Sequence, residues 1–372
     1  MRVLHVMATG ETSGGGTHLL GLLPALRELG VDIRAAVGSD GPLAERLRER
    51  GVEAEHVELM RARLDPAAPA RLAHVIQTSG AELVHLHGTR AAFFGALARA
   101  HSPALPPTIY SVHGLSYRKE RTRGRRAVFL AAEAFACRLA AHVIAVARAD
   151  LEELRARGFA APERSSHVPN AVDTDRFTPG DVAHARTRLG LAPGALVVGT
   201  VARLVDGKGV ADLVAAVARA SAPVRLVVVG DGPERVTLEA QARASGVTAH
   251  FLGRRDDVPD VLRALDVFVL ASRWEGEPVA LLEALATGLP CIGTRTSGAL
   301  DVLAGFEGGR LVPIADVEAL RAAIDGLARI PDAERRHLGA SGRARVLGRG
   351  PAVLAARVAE IYRVLDTRHA SS

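Results

Sequence analysis

Cysteine, aromatic residues and lysine are all scarce in this chain of 372 residues, and the shortages exclude several classes of protein. The two cysteines, Cys137 and Cys291, stand far apart, so they provide neither a disulfide framework nor a set of zinc ligands. Aromatic residues make up 3% of the chain, and its positive mean hydropathy reflects alanine, valine and leucine. Because unpaired thiols fit a reducing compartment, we expect a cytoplasmic protein.

A long uninterrupted apolar run is also lacking. The most apolar stretch, 127–147, contains Glu133, Arg138 and His142, so it could cross a bilayer only with a large free-energy penalty. The N-terminus has one basic residue and then a short apolar run that reaches Glu11 too early for a signal peptide. We interpret this run as the first strand of a sheet.

Positive charge is in excess but is not concentrated. The formal net charge of +6 is spread along the chain, except for the run YRKERTRGRR at 117–126. That run is too short and too poor in aromatic residues to form a nucleic-acid site, so nucleic acid is not expected as a partner. Nearly every basic residue is arginine, and the two lysines are Lys119 and Lys208. A coding bias explains the shortage of lysine and makes Lys208 informative.

Apolar runs rich in valine, isoleucine and leucine alternate with segments of helical period, as expected for parallel sheets buried on both faces. The first helix is predicted to end at Gly30. It carries an apolar stripe of Leu19, Leu22, Leu23 and Leu26. Strands are predicted near 2–8, 31–37, 82–88, 108–114, 142–147 and 165–172, and again near 196–204, 224–232, 248–253, 267–272, 290–294 and 310–314.

The two series of strands are separated by a segment with proline and glycine, 173–195, which predicts a linker and then a helix. The chain is also longer than the roughly 250–300 residues that one hydrophobic core supports. We therefore predict an α/β fold with two Rossmann-like doubly wound domains, 1–170 and 171–350, facing across a cleft. A C-terminal helix in 351–372 is expected to pack back on the N-terminal domain. Ligands are expected at the carboxyl ends of the strands.

Three glycines follow the first predicted strand. Gly14, Gly15 and Gly16 precede Thr17 and His18 at the start of a helix, where backbone amides and the helix N-terminus suit phosphate or developing anionic charge. The spacing is neither a Walker loop nor a GxGxxG fingerprint. A tight turn between strand and helix explains these glycines equally well.

The segment VARLVDGKG places two cations after a predicted strand. Arg203 follows the strand directly, and Lys208 stands five residues later in a loop that leads into a helix. A guanidinium fork together with a mobile ammonium would neutralise a diphosphate leaving group without a metal ion. Two solvated surface cations are the alternative, and the scarcity of lysine favours the functional interpretation.

Two glutamates stand in the segment SRWEGEPVALLEALATGLP. Glu275 follows a predicted strand, where a sugar would bind, and Glu283 lies inside an otherwise apolar helix. A carboxylate at the second position is unfavourable unless a polar ligand such as ribose hydroxyls bonds to it. A loop glutamate and a partly exposed helix glutamate would explain either residue alone, but explain the pair less well.

Several stretches, taken in order, carry a family resemblance over almost the whole chain. They are GGGTHLL, SVHG, HVPNAVDTDRFTP, VGTVARLVDGKG, LVVVGDGPER, FLGRRDDVPDVLRALDVFVLAS and the segment with the two glutamates. With these motifs the chain resembles the family-four retaining glycosyltransferases of GT-B fold. The resemblance implies that Arg203 and Lys208 hold the diphosphate of a nucleotide-sugar donor. It also implies that Glu283 binds the ribose and that Gly253 and Arg254 flank the base.

The resemblance further implies which groups meet the transferred sugar. Glu275 is implied to hold sugar hydroxyls together with the backbone of the residues that follow it, namely Gly276, Glu277, Pro278 and Val279. His113 is implied to lie near that sugar, and Gly15 and Gly16 to approach the phosphates or the reacting centre. The chain departs from the family pattern at Glu277 and Pro278, where many relatives have an aromatic residue and a glycine, and at Ala147, where a hydroxyl residue is common.

The expected chemistry is a metal-independent retaining transfer of a hexose without a cofactor. Asp173 and Asp175 belong to the linker, and we interpret them as capping or bridging residues. The acceptor is expected to be a glycan, a lipid-linked sugar or a small molecule. A non-catalytic sugar-nucleotide binder is the first alternative, and a nicotinamide-dependent oxidoreductase, for which GETSGGG with Asp40 is a poor fingerprint, is the second.

The basic run 117–126 precedes an amphipathic helix that carries Phe129, Leu130, Phe135 and Leu139. Such a surface suits the anionic headgroups of a membrane or a lipid-linked acceptor, so peripheral contact with the inner face of a membrane is one expectation. A solvated loop beside an ordinary packed helix explains the run equally well.

Overall fold

The computed structural model describes residues 1–59, 65–120 and 122–370. The chain divides into two compact units, each of which is described by itself. The N-terminal unit consists of Met1–Ala171 and Pro351–Ser372, and the C-terminal unit consists of Val172–Gly350. Both are built on a parallel sheet with alternating helices, as predicted.

Within the residues described, the sheet of the N-terminal unit has seven parallel strands. They are β1 (Arg2–Met7), β2 (Asp32–Val37), β3 (Glu53–His56), β4 (Leu83–His87), β5 (Thr108–Val112), β6 (His142–Ala145) and β7 (Ser165–His167). Their order is β3-β2-β1-β4-β5-β6-β7, so the direction of winding reverses between β1 and β4. Every residue of β4 and β5 is buried, because helices cover both faces of the sheet.

In the described part of this unit, seven α-helices pack on the sheet. They are α1 (Gly14–Glu28), α2 (Leu43–Arg48), α3 (Ala68–Ser79), α4 (Gly88–His101), α5 (Arg123–Leu139), α6 (Arg148–Ala156) and α15 (Pro351–Ala370). The leucine stripe of α1 is fully buried, and the chain leaves this helix at Gly30 with a left-handed φ of 81°. Helix α15 packs on the same core cluster as α1, through Leu354, Ala355, Val358, Ala359, Tyr362 and Leu365.

Six parallel strands form the sheet of the C-terminal unit. They are β8 (Leu196–Val201), β9 (Val224–Val229), β10 (Ala249–Phe251), β11 (Val267–Leu270), β12 (Cys291–Thr294) and β13 (Gly309–Val312), in the order β10-β9-β8-β11-β12-β13. Its helices are α7 (Val182–Arg188), α8 (Val210–Ala218), α9 (Arg235–Ala244), α10 (Val258–Arg263), α11 (Val279–Ala286), α12 (Ser297–Leu303), α13 (Val317–Ala328) and α14 (Asp332–Ala344).

The elements differ from the predicted ones in a few places. The strand predicted near 165–172 ends at His167, because Pro169 has no N–H group to continue the ladder. The strand β3 was not predicted, since its sequence EAEH is polar; it pairs with β2 and lies at the edge of the described sheet. Among the described residues, no helix is both long and apolar enough to cross a bilayer.

Candidate functional site

The topology of the C-terminal sheet brings two predicted motifs together. Strands β8 and β11 are neighbours, with Val198 opposite Val267, so the loops that follow them leave the same edge of the sheet side by side. The backbone N–H of Arg273 in the second loop donates to the carbonyl of Gly207 in the first, at 2.8 Å. The two loops therefore form one joined surface at the carboxyl ends of the strands.

Lys208 and Glu275 meet on this surface. The Lys208 Nζ donates to Glu275 Oε1 at 2.7 Å, and both side chains are largely shielded, with 22% and 13% of their surface exposed. Arg203 lies in the same loop as Lys208 and is exposed. Among the described residues, no hydrogen bond or ion pair engages its guanidinium.

Glycines and the single tryptophan fix the shape of the Lys208 loop. Gly207 and Gly209 have left-handed φ angles of 91° and 66°. A Cβ atom on Gly207 would lie 1.9 Å from the Trp274 ring, and one on Gly209 would lie 2.0 Å from the carbonyl oxygen of Ala271. Only glycine fits at either position, because a side chain would meet an aromatic ring or backbone.

The residues after Glu275 lead into α11 and are mostly buried. Gly276 packs against the start of α12, where a Cβ atom on Gly298 would lie 1.8 Å from the Gly276 carbonyl oxygen. The carboxylate of Glu277 accepts a hydrogen bond from Arg349 of the same unit and is 1% exposed. Pro278 caps α11, and Val279 is its first residue. Since the Glu277 side chain is already paired, the backbone of this segment is the part left for a ligand.

Glu283 lies in the second turn of α11, among the buried apolar residues of that helix. Burial raises the pKa of its carboxyl group to about 7, and the positive charge of Arg176 opposes the shift. No hydrogen bond to this carboxylate is formed by the described part of the chain. The side chain is therefore a shielded acceptor without a protein donor, as expected of a group that binds ligand hydroxyls.

Gly253 and Arg254 follow β10, at the far side of the same sheet. Gly253 has a left-handed φ of 67°, and its carbonyl accepts a hydrogen bond from the Gly230 N–H at 2.8 Å. Arg254 is exposed. Asp231, in the loop after β9, has its pKa lowered by a hydrogen bond from the Gly232 N–H and by arginines that include Arg254. Positive charge therefore remains accessible at this strand end too.

In the N-terminal unit, Gly15 and Gly16 lie within the first turn of α1 rather than in a loop before it. A Cβ atom on Gly16 would lie 2.3 Å from the carbonyl oxygen of Glu11, and one on Gly15 would lie 3.0 Å from the Met7 methyl group. Close packing of the strand-to-helix turn on α1 therefore accounts for Gly16 without a ligand.

His113 follows β5 and belongs to a buried histidine cluster that sequence reasoning missed. The cluster contains His5 on β1, His85 and His87 on β4, His18 on α1, and His113. Burial is the largest cause that lowers the pKa of each ring, to about 3 for His5 and about 4 for His18, and the other imidazoles add to it for every ring except His18. All five rings are therefore neutral at pH 7. Histidines at alternate positions of the apolar strand LVHLH were the available signal.

Two triplets of this cluster have candidate metal-ligand atoms within 4.8 Å of one another. They are His5, His85, His87 and His18, His87, His113. In the first triplet all six ring nitrogens already have hydrogen-bond partners at 2.6–3.2 Å. A metal ion there would have to replace several hydrogen bonds. In the linker, Asp173 accepts from the backbone N–H groups of Asp175 and Arg176 and so caps a turn.

Part of the basic run 117–126 is neutralised within the N-terminal unit. Arg118 pairs with Asp150 at 2.7 Å and with Glu153, and Arg125 pairs with Glu120 at 2.8 Å. Residues 122–128, which open α5, are all exposed, and Val128 is 66% exposed. Arg121 lies outside the described residues. Arg123 and Arg126 remain as exposed cations at the start of α5.

Comparison with known families gives two matches that together span most of the chain. Residues 12–176 match the family described as Glycosyltransferase Family 4, and residues 182–345 match Glycosyl transferases group 1. The first match contains Gly15, Gly16 and His113, and the second contains all the candidate residues of the C-terminal unit.

Two curated relatives illustrate the range of similar enzymes. A UDP-Gal:α-D-GlcNAc-diphosphoundecaprenol α-1,3-galactosyltransferase from Escherichia coli is 30% identical over 263 residues, which are 68% of this chain and 66% of the relative. A GDP-mannose-dependent α-mannosyltransferase from Mycobacterium tuberculosis is 33% identical over 220 residues, 57% of this chain and 53% of the relative. The matches thus span between half and two thirds of these relatives.

Solved structures match the fold over nearly the whole chain. Anabaena HepE in complex with UDP-glucose has a TM-score of 0.85 at 21% identity and covers 98% of this chain and 100% of its own. Sucrose-phosphate synthase from Thermosynechococcus elongatus has a TM-score of 0.83 at 21% identity, with 99% and 100% covered. From the family matches, the relatives and these structures together, the chain belongs to the family-four glycosyltransferases and has the GT-B fold.

Proposed function

We propose that this chain transfers a hexose, with retention of anomeric configuration and without a metal ion, from a nucleoside diphosphate sugar to an acceptor. The observation that carries the proposal is the Lys208–Glu275 ion pair on the joined loops after β8 and β11. A cation that holds a shielded carboxylate in the unliganded chain can exchange it for a phosphate oxygen, which has similar hydrogen-bonding chemistry. The donor is a substrate in this proposal, and no cofactor is assigned.

Arg203 and Lys208 would stabilise the leaving group. When the bond between the sugar and the diphosphate breaks, negative charge develops on the departing phosphate oxygen. A fixed cation aimed at such charge contributes about 3–4 kcal/mol to the lowering of the barrier. The acceptor attacks on the face from which the diphosphate departs, and its proton passes to a phosphate oxygen. This sequence needs neither a covalent intermediate nor a separate base.

Glu275 and the start of α11 would hold the transferred sugar. Once a phosphate oxygen binds the Lys208 ammonium group in place of Glu275, the Glu275 carboxylate is free to accept hydrogen bonds from sugar hydroxyls. The backbone N–H groups of Gly276, Glu277 and Val279 would donate, whereas Pro278 has none. This division of roles is supported by the pairing of the Glu277 side chain with Arg349, which removes that carboxylate from the list of ligand groups.

The nucleoside would lie against Glu283 and the end of β10. Ribose hydroxyls supply the donors that the shielded Glu283 carboxylate lacks, and their hydrogen bonds to the charged form would lower its pKa again. Gly253 and Arg254 would flank the base. In the N-terminal unit, His113 would hydrogen-bond to an oxygen of the sugar or of the acceptor, and Gly15 and Gly16 would come near the phosphates.

A panel of UDP-, GDP- and ADP-sugars tests this assignment, with product formation and donor hydrolysis both recorded. We expect turnover with one or more donors. We also expect a loss of 10²-fold or more in Lys208→Ala and Arg203→Ala. Arg219→Ala, which removes an exposed arginine at the end of α8, is the control. Binding of donors without any turnover would favour the alternative of a non-catalytic binder.

Two further measurements with the same assay test retention and metal independence: the anomeric configuration of the product, and turnover in the presence of EDTA. The product's anomeric proton should show the same coupling class as the donor's, and the opposite anomer would contradict retention. Turnover should survive excess EDTA, because two protein cations neutralise the diphosphate. Activity that is lost with EDTA and restored by a divalent cation would contradict the metal-free mechanism.

We also propose a lipid-linked acceptor that the exposed start of α5 helps to recruit. Arg123, Arg125, Arg126 and Val128 are exposed there, the composition of a segment that meets anionic headgroups. Each cation adds only about 1 kcal/mol near such a surface, so several must act together.

Co-sedimentation with vesicles containing anionic phospholipid, at low and high salt, tests the membrane contact. We expect binding at low salt that falls when Arg123, Arg125 and Arg126 are replaced by Gln. Replacement of Arg219, Arg329 and Arg336, three exposed arginines of the C-terminal unit, is the matched control for net charge. Binding that is absent at low salt, or equal in the two triple variants, would leave α5 without a membrane role.

A further inference from the structure

A continuous line of hydrogen bonds crosses the N-terminal unit from Ser111 to His113. Ser111 Oγ lies 2.7 Å from His85 Nε2, and His85 Nδ1 lies 2.6 Å from the Tyr362 hydroxyl. That hydroxyl lies 3.2 Å from His5 Nε2. His5 Nδ1 then lies 3.0 Å from His87 Nε2, and His87 Nδ1 lies 3.1 Å from His113 Nε2. We call these six residues the histidine line.

The ring geometry fits hydrogen bonds between imidazoles. The His5 and His87 planes differ by 18° with centroids 5.2 Å apart, and the His87 and His113 planes differ by 22° with centroids 5.4 Å apart. These rings lie edge to edge in nearly one plane, so the N–H of one points along the lone pair of the next. Burial without a charged partner keeps the rings neutral.

Neutrality leaves the line only two proton arrangements. A neutral imidazole has one donor nitrogen and one acceptor nitrogen, and a phenol hydroxyl has one proton, so reversing one bond reverses them all. In one arrangement every group donates towards His113, and in the other every group donates towards Ser111. The two differ in which nitrogen of His113 carries the proton.

Ser111, at the buried end of the line, determines which of the two proton arrangements is more stable. Ser111 is 3% exposed, and in the part of the chain that the structure describes its hydroxyl has one hydrogen-bond partner, His85. If the line donated towards Ser111, the Ser111 proton would be a buried donor without an acceptor, which is unfavourable. Donation from Ser111 gives each of the five hydrogen bonds one proton and leaves the Nδ1–H of His113, at the other end of the line, to bond outside it. It places the proton on Nδ1 of His85, His5, His87 and His113.

We propose that the histidine line is a positioning device, completed by Tyr362 of α15, that keeps His113 neutral with its proton on Nδ1. His113 Nε2 is occupied by His87, so Nδ1 is the nitrogen left for a ligand, and the line makes it a hydrogen-bond donor to a substrate oxygen. The identification of that oxygen as substrate rests on the proposed function. Tyr362 and Ser111 act through His113 and do not contact the substrate.

Proton placement can be measured without any activity. In the full-length protein labelled with ¹⁵N-histidine, long-range ¹H–¹⁵N correlation at pH 7 distinguishes the two neutral tautomers and the charged form. We expect Nδ1–H neutral rings for His5, His85, His87 and His113. Rings with the proton on Nε2, or charged rings, would overturn the proposal.

Tyr362→Phe breaks the line in its middle and keeps the ring that packs on α1. We expect His5, His87 and His113 to populate both tautomers in this variant, while Tyr117→Phe, which removes another buried tyrosine hydroxyl, leaves them unchanged. Ser111→Ala removes the group that sets the direction and serves as the second variant if Tyr362→Phe does not fold. Unchanged tautomers in a folded variant would contradict the proposal.

The kinetic readout separates positioning from binding. We expect kcat to fall about 10-fold in Tyr362→Phe, because Tyr362 orients His113 only through the other histidines. Affinity of the C-terminal unit for a nucleoside diphosphate should stay as in the wild type. A folded variant with wild-type kcat would refute the positioning role. Zn²⁺ that binds tightly and shifts the resonances of His5, His85 and His87 would also refute it, because these rings would then be metal ligands.

Discussion

At the scale of single residues, Gly207 shows how backbone geometry places a cation. Its left-handed φ and its contact with the Trp274 ring let the chain turn just before Lys208. Gly207→Ala should therefore lower the free energy of unfolding of the C-terminal unit by about 2–4 kcal/mol, as strain and overpacking add. Denaturant unfolding followed by tryptophan fluorescence measures the loss.

The control for this prediction is Gly190→Ala. Gly190 has a similar left-handed φ of 64°, but a Cβ atom there would meet nothing within 4 Å. This variant should lose only the conformational part, about 1–2 kcal/mol. Equal losses in the two variants would mean that Trp274 does not constrain the Lys208 loop.

The carboxyl group of Glu283, which we propose to bind ribose, is buried at a cost to folding stability. Its pKa of about 7 in the folded chain lies above the unfolded value of 4.5, so the folded state binds the proton more tightly. Folding stability is therefore reduced as pH rises from about 4.5 to 7, and the full loss is present above pH 7. At pH 8 we expect the free energy of unfolding of Glu283→Gln to exceed that of the wild type by about 1–3 kcal/mol. At pH 4 the two free energies should be equal. Denaturant unfolding at both pH values measures them.

The same variant should bind nucleoside diphosphate more weakly, because a neutral amide replaces the charged acceptor proposed for ribose. Glu275→Gln should bind it at least as tightly, since Lys208 is then released from its carboxylate partner. A Glu283→Gln variant that is destabilised at pH 8, or that binds nucleotide like the wild type, would contradict the role given to this residue.

Sequence spacing identified the candidate residues of the C-terminal unit but did not predict which side chains pair. Lys208 and Glu275 were both recognisable, yet their ion pair depends on β8 and β11 being neighbours, which topology decides. The backbone of Glu277 was predicted to contact the donor sugar, and the pairing of its side chain with Arg349, 72 residues away, was not predicted. The histidine line was missed because its members come from β1, β4, β5 and α15, and no local pattern joins them.

At the scale of elements, α15 completes the N-terminal unit although it is last in the chain. Val358 is 2% exposed in the core cluster that α15 shares with α1, whereas Val353 on the same helix is 44% exposed. Val358→Ala should lower the free energy of unfolding by about 1–3 kcal/mol, because it removes buried methyl groups. Val353→Ala should change it by less than about 0.5 kcal/mol.

Denaturant unfolding followed by circular dichroism measures both variants of α15. Similar small losses in the two would show that the helix is not packed on α1 in solution. Hydrophobic runs predicted the strands well, because strands buried on both faces are continuously apolar. The polar edge strand β3 gave no such signal. The sequence also did not show that α1 begins at Gly14, because three glycines form its first turn.

At the scale of the whole molecule, the buried histidines predict a loss of stability in acid. The pKa values of His5, His18, His85, His87 and His113 are lowered in the folded chain, so the unfolded chain binds protons first as pH falls below 6.5. The contribution of these histidines to stability is therefore full above about pH 6.5 and is lost progressively towards pH 4. Each ring that titrates only in the unfolded state adds about 1.4 kcal/mol per pH unit.

Unfolding midpoints measured between pH 7.5 and 4.5 test this dependence. His18→Leu should reduce the slope by one ring. It should also lower the unfolding midpoint at every pH, because it removes the hydrogen bond between His18 and the buried Asn170. The matched control is His101→Leu, which removes an exposed histidine at the end of α4. A midpoint independent of pH in the wild type would mean that the cluster is not buried.

The central claim is that Lys208 and Arg203 hold a nucleoside diphosphate without a metal ion, and Trp274 reports on it directly. It is the single tryptophan of the chain and lies against Gly207, beside Lys208. Titration of its fluorescence with UDP, GDP and ADP in excess EDTA should give a saturable change for at least one of them. Lys208→Ala should raise the Kd about 10- to 100-fold. A response that requires a divalent cation, or equal Kd values in the wild type and Lys208→Ala, would contradict the account.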